Sequence, residues 1–276
     1  MEKNIVFNRL TLFFCLLAGV GMVSAMKNVP VSPVIPAKVT AIPEGKGIPS
    51  FYKKYLDADG LYIVSSGLVS DEALLKAREI MLLMLSKRSD VKERMVKDGC
   101  HVMVIGKNEE TCDLPEYAHL CNSPDSIAYW NRRARGFGGA PEDTYSSSCG
   151  EENLLALEKD KYIGENILIH EFAHLIHTIG IRGVEPGFDT RLENLRQNAM
   201  KKGLWKKTYA LTNKEEYFAE CVQSFFNCNR YSPTPNGVHN SVNTRKKLEA
   251  YDPDMYRLLL EYFDEIEIPI NNIVHE

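Results

Sequence analysis

Three histidines and a glutamate stand within eight positions of an otherwise apolar stretch, Ile167 to Gly180 (ILIHEFAHLIHTIG). Burying an isolated polar side chain costs about 2–7 kcal/mol, so four of them together need a shared partner. In a helix, His170 and His174 lie one turn apart on one face, where both imidazoles can bind one ion. Glu171 beside them can reach a water molecule on that ion. The pattern H-E-x-x-H with uncharged flanks therefore predicts a zinc site on a buried helix.

His177 is the third histidine of this stretch, and we expect it not to bind the metal. It lies about 10 Å along a straight helix from His170. Zinc–nitrogen bonds measure only about 2.0–2.1 Å. We therefore expect His177 to be a hydrogen-bonded residue in the wall of the site or behind the ligands.

A catalytic zinc ion takes three protein ligands, and the candidate source of the third is the segment Tyr209 to Phe226 (YALTNKEEYFAECVQSFF). Thr212 and Glu215 are spaced as a capping box that begins a helix. Glu216 and Glu220 then lie four positions apart on one helix face. One of these carboxylates can bind zinc while the other orients a ligating histidine. A solvated acidic face is disfavoured by the aromatic residues on the same helix.

The two motifs together resemble a known family. HEFAH is followed by a tyrosine, six residues and EYFAE, which is similar to the Y-x6-E-[hydrophobic]2-A-E pattern in the catalytic domain of the anthrax lethal factor family and the related Pro-Pro endopeptidases. The resemblance implies that Glu216 is the metal ligand, Glu220 a supporting residue and Tyr209 the group that assists the transition state. It covers roughly residues 164–227 and does not extend to residues 28–150, so it implies no substrate preference.

From the motif and the resemblance we expect a secreted zinc-dependent endopeptidase that acts on protein or peptide substrates. His170, His174 and Glu216 would hold Zn²⁺, whose charge lowers the pKa of a bound water to about 7. Glu171 would accept the proton of this water as it attacks the peptide carbonyl. Tyr209 would hydrogen-bond the oxyanion of the transition state.

The sequence leaves two other functions open. A zincin-like domain can lose catalysis and serve as a binding or adhesion module, although every catalytic position is filled here. The metal chemistry also does not identify the bond that is cut, so a zinc hydrolase of a non-peptide bond is the second alternative. The sequence does not indicate the oligomeric state.

Residues 1–25 have the pattern of a secretory signal peptide. Lys3 and Arg9 form a basic start, an apolar run covers residues 10–23, and the run ends in small residues at Ala25. The run is too short, and too interrupted by glycine, for a membrane anchor. We therefore expect export to the periplasm or the extracellular space.

The composition of the exported chain excludes some partners. Without residues 1–25 it carries 31 Lys and Arg against 36 Asp and Glu, a net charge of −5. This is not the basic surface that nucleic-acid binding requires. We expect no nucleic-acid partner, and no membrane span because no second long hydrophobic run follows.

The six cysteines of the exported chain favour disulfides over a zinc–thiolate cluster, because no C-x-x-C pair occurs. Cys112 and Cys121 enclose a short loop and are the most plausible local pair. Cys221 and Cys228 would stand about 10 Å apart along a continuous helix, which is too far for a bond. Buried free thiols are the alternative.

The order of the predicted elements indicates an α+β fold of the zincin type, with a small sheet, a buried HExxH helix and a mainly helical C-terminal part. Residues 26–50 are proline-rich and predict a tether or a surface-hugging arm. We expect one domain over residues 51–270, with folded structure beginning near Phe51. The predicted strands are 61–66, 101–106 and 153–158, and the predicted helices are 70–86, 190–202, 213–227 and 253–263.

Residues 107–150 contain few periodic apolar positions and predict a long irregular segment. Such segments in compact domains are usually functional or crosslinked. We expect an extended substrate to lie beside an edge strand, and the candidates are residues 153–158 (NLLALE) and the preceding segment 136–141 (GFGGAP).

Overall fold

The computed structural model of the protein describes residues 37–269. The predicted signal peptide, the first part of the proline-rich segment and residues 270–276 lie outside the described residues. Across residues 37–269, no helix has the length and apolar character needed to cross a membrane.

A mixed four-stranded sheet in the order β1-β2-β3-β4 forms the first part of the fold. Its strands are β1 (Lys54–Ala58), β2 (Leu61–Ser65), β3 (His101–Ile105) and β4 (Ser146–Gly150). The pair β1–β2 is antiparallel, whereas β2–β3 and β3–β4 are parallel. Asp59 and Gly60 join β1 to β2 with positive φ angles of 59° and 94°, the backbone that a two-residue hairpin turn requires.

Helices pack against this sheet and form most of the C-terminal half. They are α1 (Asp71–Met84), α2 (Ser89–Lys97), α3 (Pro124–Arg133), α4 (Glu151–Leu154), α5 (Ile167–Leu175), α6 (Arg182–Val184), α7 (Phe188–Lys201), α8 (Lys214–Phe225), α9 (Arg245–Tyr251) and α10 (Pro253–Tyr262). A π-helical segment, Ile176–Ile181, continues α5. Helix α1 packs against β1, β2 and β3. Helix α5 packs against both β4 and α8, and these contacts place the HExxH motif between the sheet and the C-terminal helices.

The α+β fold class is confirmed, and so are the periodic elements. Strands β2 and β3 and helices α1, α8 and α10 agree with the predictions to within a few residues. The side chain of Ser70 caps α1 by accepting a hydrogen bond from the backbone N–H of Ala73. These elements were predictable because each carries its apolar face and its cap within its own segment.

The prediction of a strand at residues 153–158 is wrong. Helix α4 and a turn occupy this region, and the fourth strand is the serine-rich β4 (SSSCG), whose five residues are all buried. Buried serines are tolerated here because their hydroxyls are paired. Ser147 donates to the carbonyl oxygen of Glu171 at 2.9 Å, and Ser148 accepts from the Tyr117 hydroxyl at 2.8 Å.

The predicted Thr212–Glu215 capping box is also wrong. Asn213 caps α8, and its Oδ1 accepts a hydrogen bond from the backbone N–H of Glu216 at 2.7 Å. Glu215 instead forms an ion pair with Lys214 at 2.8 Å. An asparagine cap is as favourable as threonine, and placing the cap one residue later leaves the Glu216 side chain free to face α5.

The described part of the proline-rich segment, residues 37–50, lies against the sheet. Thr40 pairs with Tyr55 of β1 through two backbone hydrogen bonds of 2.9 and 2.8 Å. Folded structure therefore begins before the predicted start near Phe51. The arm thereby pairs the backbone groups of Tyr55 at the β1 edge, which would otherwise be unpaired.

The predicted disulfide between Cys112 and Cys121 is confirmed, with Cα atoms 5.7 Å apart. Among the described residues the other four cysteines, Cys100, Cys149, Cys221 and Cys228, are free and buried. The disulfide-closed loop supports α3, because the backbone N–H of Cys112 donates to Asn131 Oδ1 at 2.9 Å. It thereby holds a helix that borders the candidate active site.

Candidate metal centre and catalytic cleft

The side chains of His170, His174 and Glu216 meet at one point between α5 and α8. The two Nε2 atoms are 3.2 Å apart, and Glu216 Oε2 lies 3.2 Å from His170 Nε2 and 3.4 Å from His174 Nε2. Each residue offers one ligand atom, so the cluster could hold a metal ion. The fold thus joins the HExxH helix to a carboxylate 42 positions beyond His174.

Helix α5 directs the side chains of His170, Glu171 and His174 toward the cluster, because its other faces are packed. Asn166 caps it, with Oδ1 accepting from the backbone N–H of Ile169 at 3.0 Å. Along Ile167–Leu175, every residue is buried except Glu171. Glu171 is partly exposed, and its carboxylate lines the cleft together with the two histidines.

The electrostatic balance of the cluster favours a cation. Burial lowers the pKa of His170, but the hydrogen bond to Glu216 and the charges of Glu171 and Glu220 outweigh burial and raise this pKa to about 10. In the opposite sense, the hydrogen bonds from His170 and His174 overcome burial and hold the pKa of Glu216 well below its ordinary value. The nearby carboxyl groups thus favour a positive charge at the two imidazoles, which a bound cation would also supply.

Burial raises the pKa of Glu171 above the ordinary range of a carboxyl group, while the charges of His170 and His174 oppose this rise. A carboxylate with a raised pKa is a stronger proton acceptor. The environment of Glu171 therefore suits a general base.

A cleft of about 730 Å³ opens over the cluster. All six residues named from the sequence line it, namely His170, Glu171, His174, Tyr209, Glu216 and Glu220. Trp130 of α3 and Phe137 supply an apolar side, with ring centroids 5.4 Å apart. The fold thus brings residues from α3, α5 and α8 to one opening.

Tyr209 lies at the entrance to α8, where its backbone N–H donates to the carbonyl oxygen of Val238 at 2.8 Å. Burial and the nearby charge of Glu216 raise the pKa of its hydroxyl, and the Arg133 guanidinium opposes this rise. The hydroxyl is therefore neutral at pH 7 and can donate a hydrogen bond. Arg133, which also lines the cleft, was not predicted.

His177 is fully buried and hydrogen-bonded, as expected, but it does not lie in the wall of the cleft. Its Nε2 is 2.8 Å from Asp189 Oδ1, and its ring packs against Phe188 and Phe218 with centroid distances of 5.2 Å. Burial lowers the pKa of His177, although the hydrogen bond to Asp189 acts in the other direction. His177 is a hydrogen-bonded core residue.

Residues 136–140 form one side of the cleft, and Phe137 bridges to Ser148 of β4. That a substrate lies along this segment stays a prediction. Ser148 N–H donates to the Phe137 carbonyl at 2.9 Å, and Phe137 N–H donates to Ser148 Oγ at 3.2 Å. Thr178 Oγ1 donates to the Gly139 carbonyl at 2.8 Å. A Cβ added at Gly138 would stand 2.4 Å from the Cβ of His174. The glycines thus allow this backbone to contact α5 directly.

Two further parts of the site were missed from the sequence. Gln223 Oε1 is 2.9 Å from His170 Nδ1, and its position seven residues after Glu216 on the same helix face was an available signal. His239 lies in a loop, with Nε2 3.6 Å from Glu165 Oε1 and Nδ1 3.9 Å from Glu220 Oε2. No periodic pattern surrounds His239, so nothing in the local sequence indicated its place.

Comparison with known protein families finds no family model that matches this chain, and none of the curated proteins matches it. The functional assignment therefore depends on the chemistry and geometry of the site.

Proposed function

We propose that the protein is a secreted zinc-dependent endopeptidase with a zincin-like catalytic domain, related to the lethal factor and Pro-Pro endopeptidase group. The observation that carries the proposal is the triangle of ligand atoms. Ligands bonded to zinc at about 2.0–2.1 Å with tetrahedral angles stand about 3.3 Å apart. The three separations in the cluster are 3.2, 3.2 and 3.4 Å.

The types of ligand atom also favour zinc over other common cations. Calcium and magnesium prefer oxygen ligands throughout. Two imidazoles with one carboxylate are a frequent set in catalytic zinc sites, which leave a fourth position open. His170, His174 and Glu216 would hold the ion, and the cleft above them provides the opening.

The residues of the chain then divide the work of hydrolysis. A zinc ion in this site supplies Lewis acidity, which makes a water molecule nucleophilic near neutral pH. Glu171 accepts the proton released as the peptide carbonyl is attacked and passes it to the leaving amine. The Tyr209 hydroxyl donates a hydrogen bond to the oxyanion that develops in the transition state.

The backbone of segment 136–139 favours a peptide as the substrate. Phe137 uses its N–H and C=O to pair with Ser148. Phe137 forms an isolated antiparallel bridge with Ser148, and in extended backbone the N–H and C=O groups of the two flanking residues point to the opposite side. Within residues 37–269 the backbone groups of Gly136 and Gly138 have no backbone hydrogen-bond partner. An extended peptide that adds as the next strand would satisfy them, whereas most non-peptide substrates have no matching row of amides.

The proposal of export has one independent support besides the signal-peptide pattern. The Cys112–Cys121 disulfide is typical of proteins that fold in an oxidising compartment. Expression with residues 1–25 intact, followed by N-terminal sequencing of the protein outside the cytoplasm, would test export and the cleavage after Ala25.

Digestion of a peptide library tests the function directly. The chain from residue 26 should cleave library peptides when loaded with zinc, lose activity with a chelator and recover it when zinc is restored. The Glu171→Gln variant, carried in parallel, should bind zinc but cleave nothing. Stoichiometric zinc without cleavage of any peptide would overturn the proposal and favour a silent binding module or a hydrolase of another bond.

A further inference from the structure

We propose that Gln223 is a positioning residue that sets the ring orientation and tautomer of His170 for metal binding. The sequence and the family resemblance assign such a supporting role to Glu220. The inference rests on the proposed metal site, and it identifies which side chain of α8 holds the first ligand in place.

The contacts of Gln223 are direct and complete. Its side chain is fully buried. Its Oε1 lies 2.9 Å from His170 Nδ1, and its Nε2 donates to the carbonyl oxygen of Asn166 at 3.1 Å. A buried amide with both ends paired has a single favourable orientation.

That orientation determines which nitrogen of His170 carries a proton in the metal-bound state. Because the amide nitrogen of Gln223 is used by the Asn166 carbonyl, the oxygen must face His170. An amide oxygen only accepts hydrogen bonds, so Nδ1 of His170 must be the donor. The lone pair of the neutral ring is then on Nε2, the atom that faces His174 and Glu216. Metal-ligating histidines usually have their other nitrogen held in this way.

Gln223 also connects the two helices that supply the ligands. The Asn166 carbonyl that it contacts belongs to the N-cap residue of α5. Gln223 itself lies on α8, the helix that carries Glu216. From the glutamate helix, one side chain therefore contacts both His170 and the N-cap residue of the histidine helix.

Glu220 is less suited to the same role. Its nearest carboxylate oxygen is 3.7 Å from His170 Nδ1, beyond hydrogen-bond distance. Its other oxygen accepts from Asn229 Nδ2 at 2.9 Å and lies 3.9 Å from His239 Nδ1. Glu220 thus contributes negative charge near His170, while Gln223 makes the hydrogen bond.

Three variants separate these roles. Gln223→Met keeps the approximate volume but removes the acceptor, and Gln223→Glu keeps an acceptor for Nδ1–H while losing the donor to Asn166. Glu220→Gln is the matched control on the same helix face. Zinc affinity is measured by competition with a chromogenic chelator, and the visible absorption of the Co²⁺ form reports the ligand geometry.

We expect Gln223→Met to bind zinc about 10–100-fold more weakly, the usual effect of losing such a partner, and to alter the Co²⁺ spectrum. Gln223→Glu should retain affinity, because carboxylates are common partners of zinc-bound histidines, and Glu220→Gln should change it least. Circular dichroism checks folding. If Gln223→Met does not fold, the Gln223→Glu variant decides the question, since a merely structural role predicts that it too loses zinc.

Wild-type affinity in Gln223→Met, or a larger loss in Glu220→Gln, would overturn the inference and return the role to Glu220. These measurements do not depend on catalysis. A wild-type chain that binds zinc but cleaves no peptide would refute the proposed peptidase function and leave the assignment of Gln223 intact.

Discussion

Replacing Gly138 by alanine tests whether the close approach of segment 136–141 to α5 holds the metal site together. The added Cβ would lie 2.4 Å from His174 Cβ and 2.7 Å from its Cδ2, whereas ordinary contact begins at 3.4 Å. The two groups must therefore separate by about 1 Å, because packed interiors have little free space. Gly138 does not have a positive φ, so no backbone strain is added to the steric clash.

Either partner can move, and both movements are measurable. If the segment moves, the hydrogen bonds of Phe137 to Ser148 and of Thr178 to Gly139, 2.9 and 2.8 Å long, stretch beyond useful range. Overpacking of this kind typically costs about 1–3 kcal/mol, which lowers Tm by roughly 2–12 °C in a domain of this size. If His174 moves instead, a displacement near 1 Å reduces activity by about 10²-fold.

The matched control is Gly67→Ala. Its Cβ would meet Lys53 at 3.7 Å, an ordinary contact, in an exposed turn. Thermal unfolding of the zinc-free proteins, zinc affinity and kcat/KM should be compared for the two variants. A Gly138→Ala protein that matches Gly67→Ala in all three would show that the segment does not press on the helix as described.

Four further outcomes are expected. Glu171→Gln should retain stoichiometric zinc and lose nearly all turnover, because only the proton acceptor is removed; metal analysis beside a peptide assay checks it, and undiminished activity would exclude the general base. Glu216→Ala should lower zinc affinity more than Glu220→Ala, which should lower it by no more than about 10–100-fold. Chelator competition measures both affinities, and the reverse order would exchange the roles of the two glutamates. Tyr209→Phe should lower kcat by about 10²–10³ with little change in KM or zinc content, and near-normal kcat would make it a packing residue. The free energy of unfolding should fall as pH decreases below about 6.5, because burial holds the pKa of His177 in the folded protein below this ordinary value and the unfolded chain binds the extra proton. Denaturant unfolding at several pH values measures this dependence. If His177→Gln shows the same change of unfolding free energy with pH as the wild type, the prediction is wrong.

The elements that could be predicted were those specified by residues within one short segment of the sequence. The four-residue spacing of His170 and His174 is a property of any helix, and the structure places both Nε2 atoms at one point. Ser70 and the apolar positions after it similarly indicated α1 before any packing was known. The short loop between Cys112 and Cys121 made that disulfide predictable, because the chain needs little closure to join its ends.

Strand β4 shows where local information failed. Its sequence, SSSCG, has no apolar alternation and no strand-forming majority, whereas NLLALE has the apolar character of a buried strand. Pairing with β3 and the hydroxyl contacts to Tyr117 and Glu171 stabilise the serines in the sheet. These partners are distant in sequence, so their contribution was invisible until the chain was folded.

The sequence by itself determined the chemistry available: two histidines and a glutamate on one buried helix, and two more carboxylates one turn apart on another. Only the tertiary structure decided that Glu216 completes the triangle, that Gln223 rather than Glu220 is hydrogen-bonded to His170, and that Gly138 lies against His174. Helical periodicity specifies which residues share a face, because it depends only on the backbone of one segment. The distance between two faces depends on how α5, α8 and β4 pack, and a difference of less than 1 Å there separates a hydrogen bond from a mere neighbour.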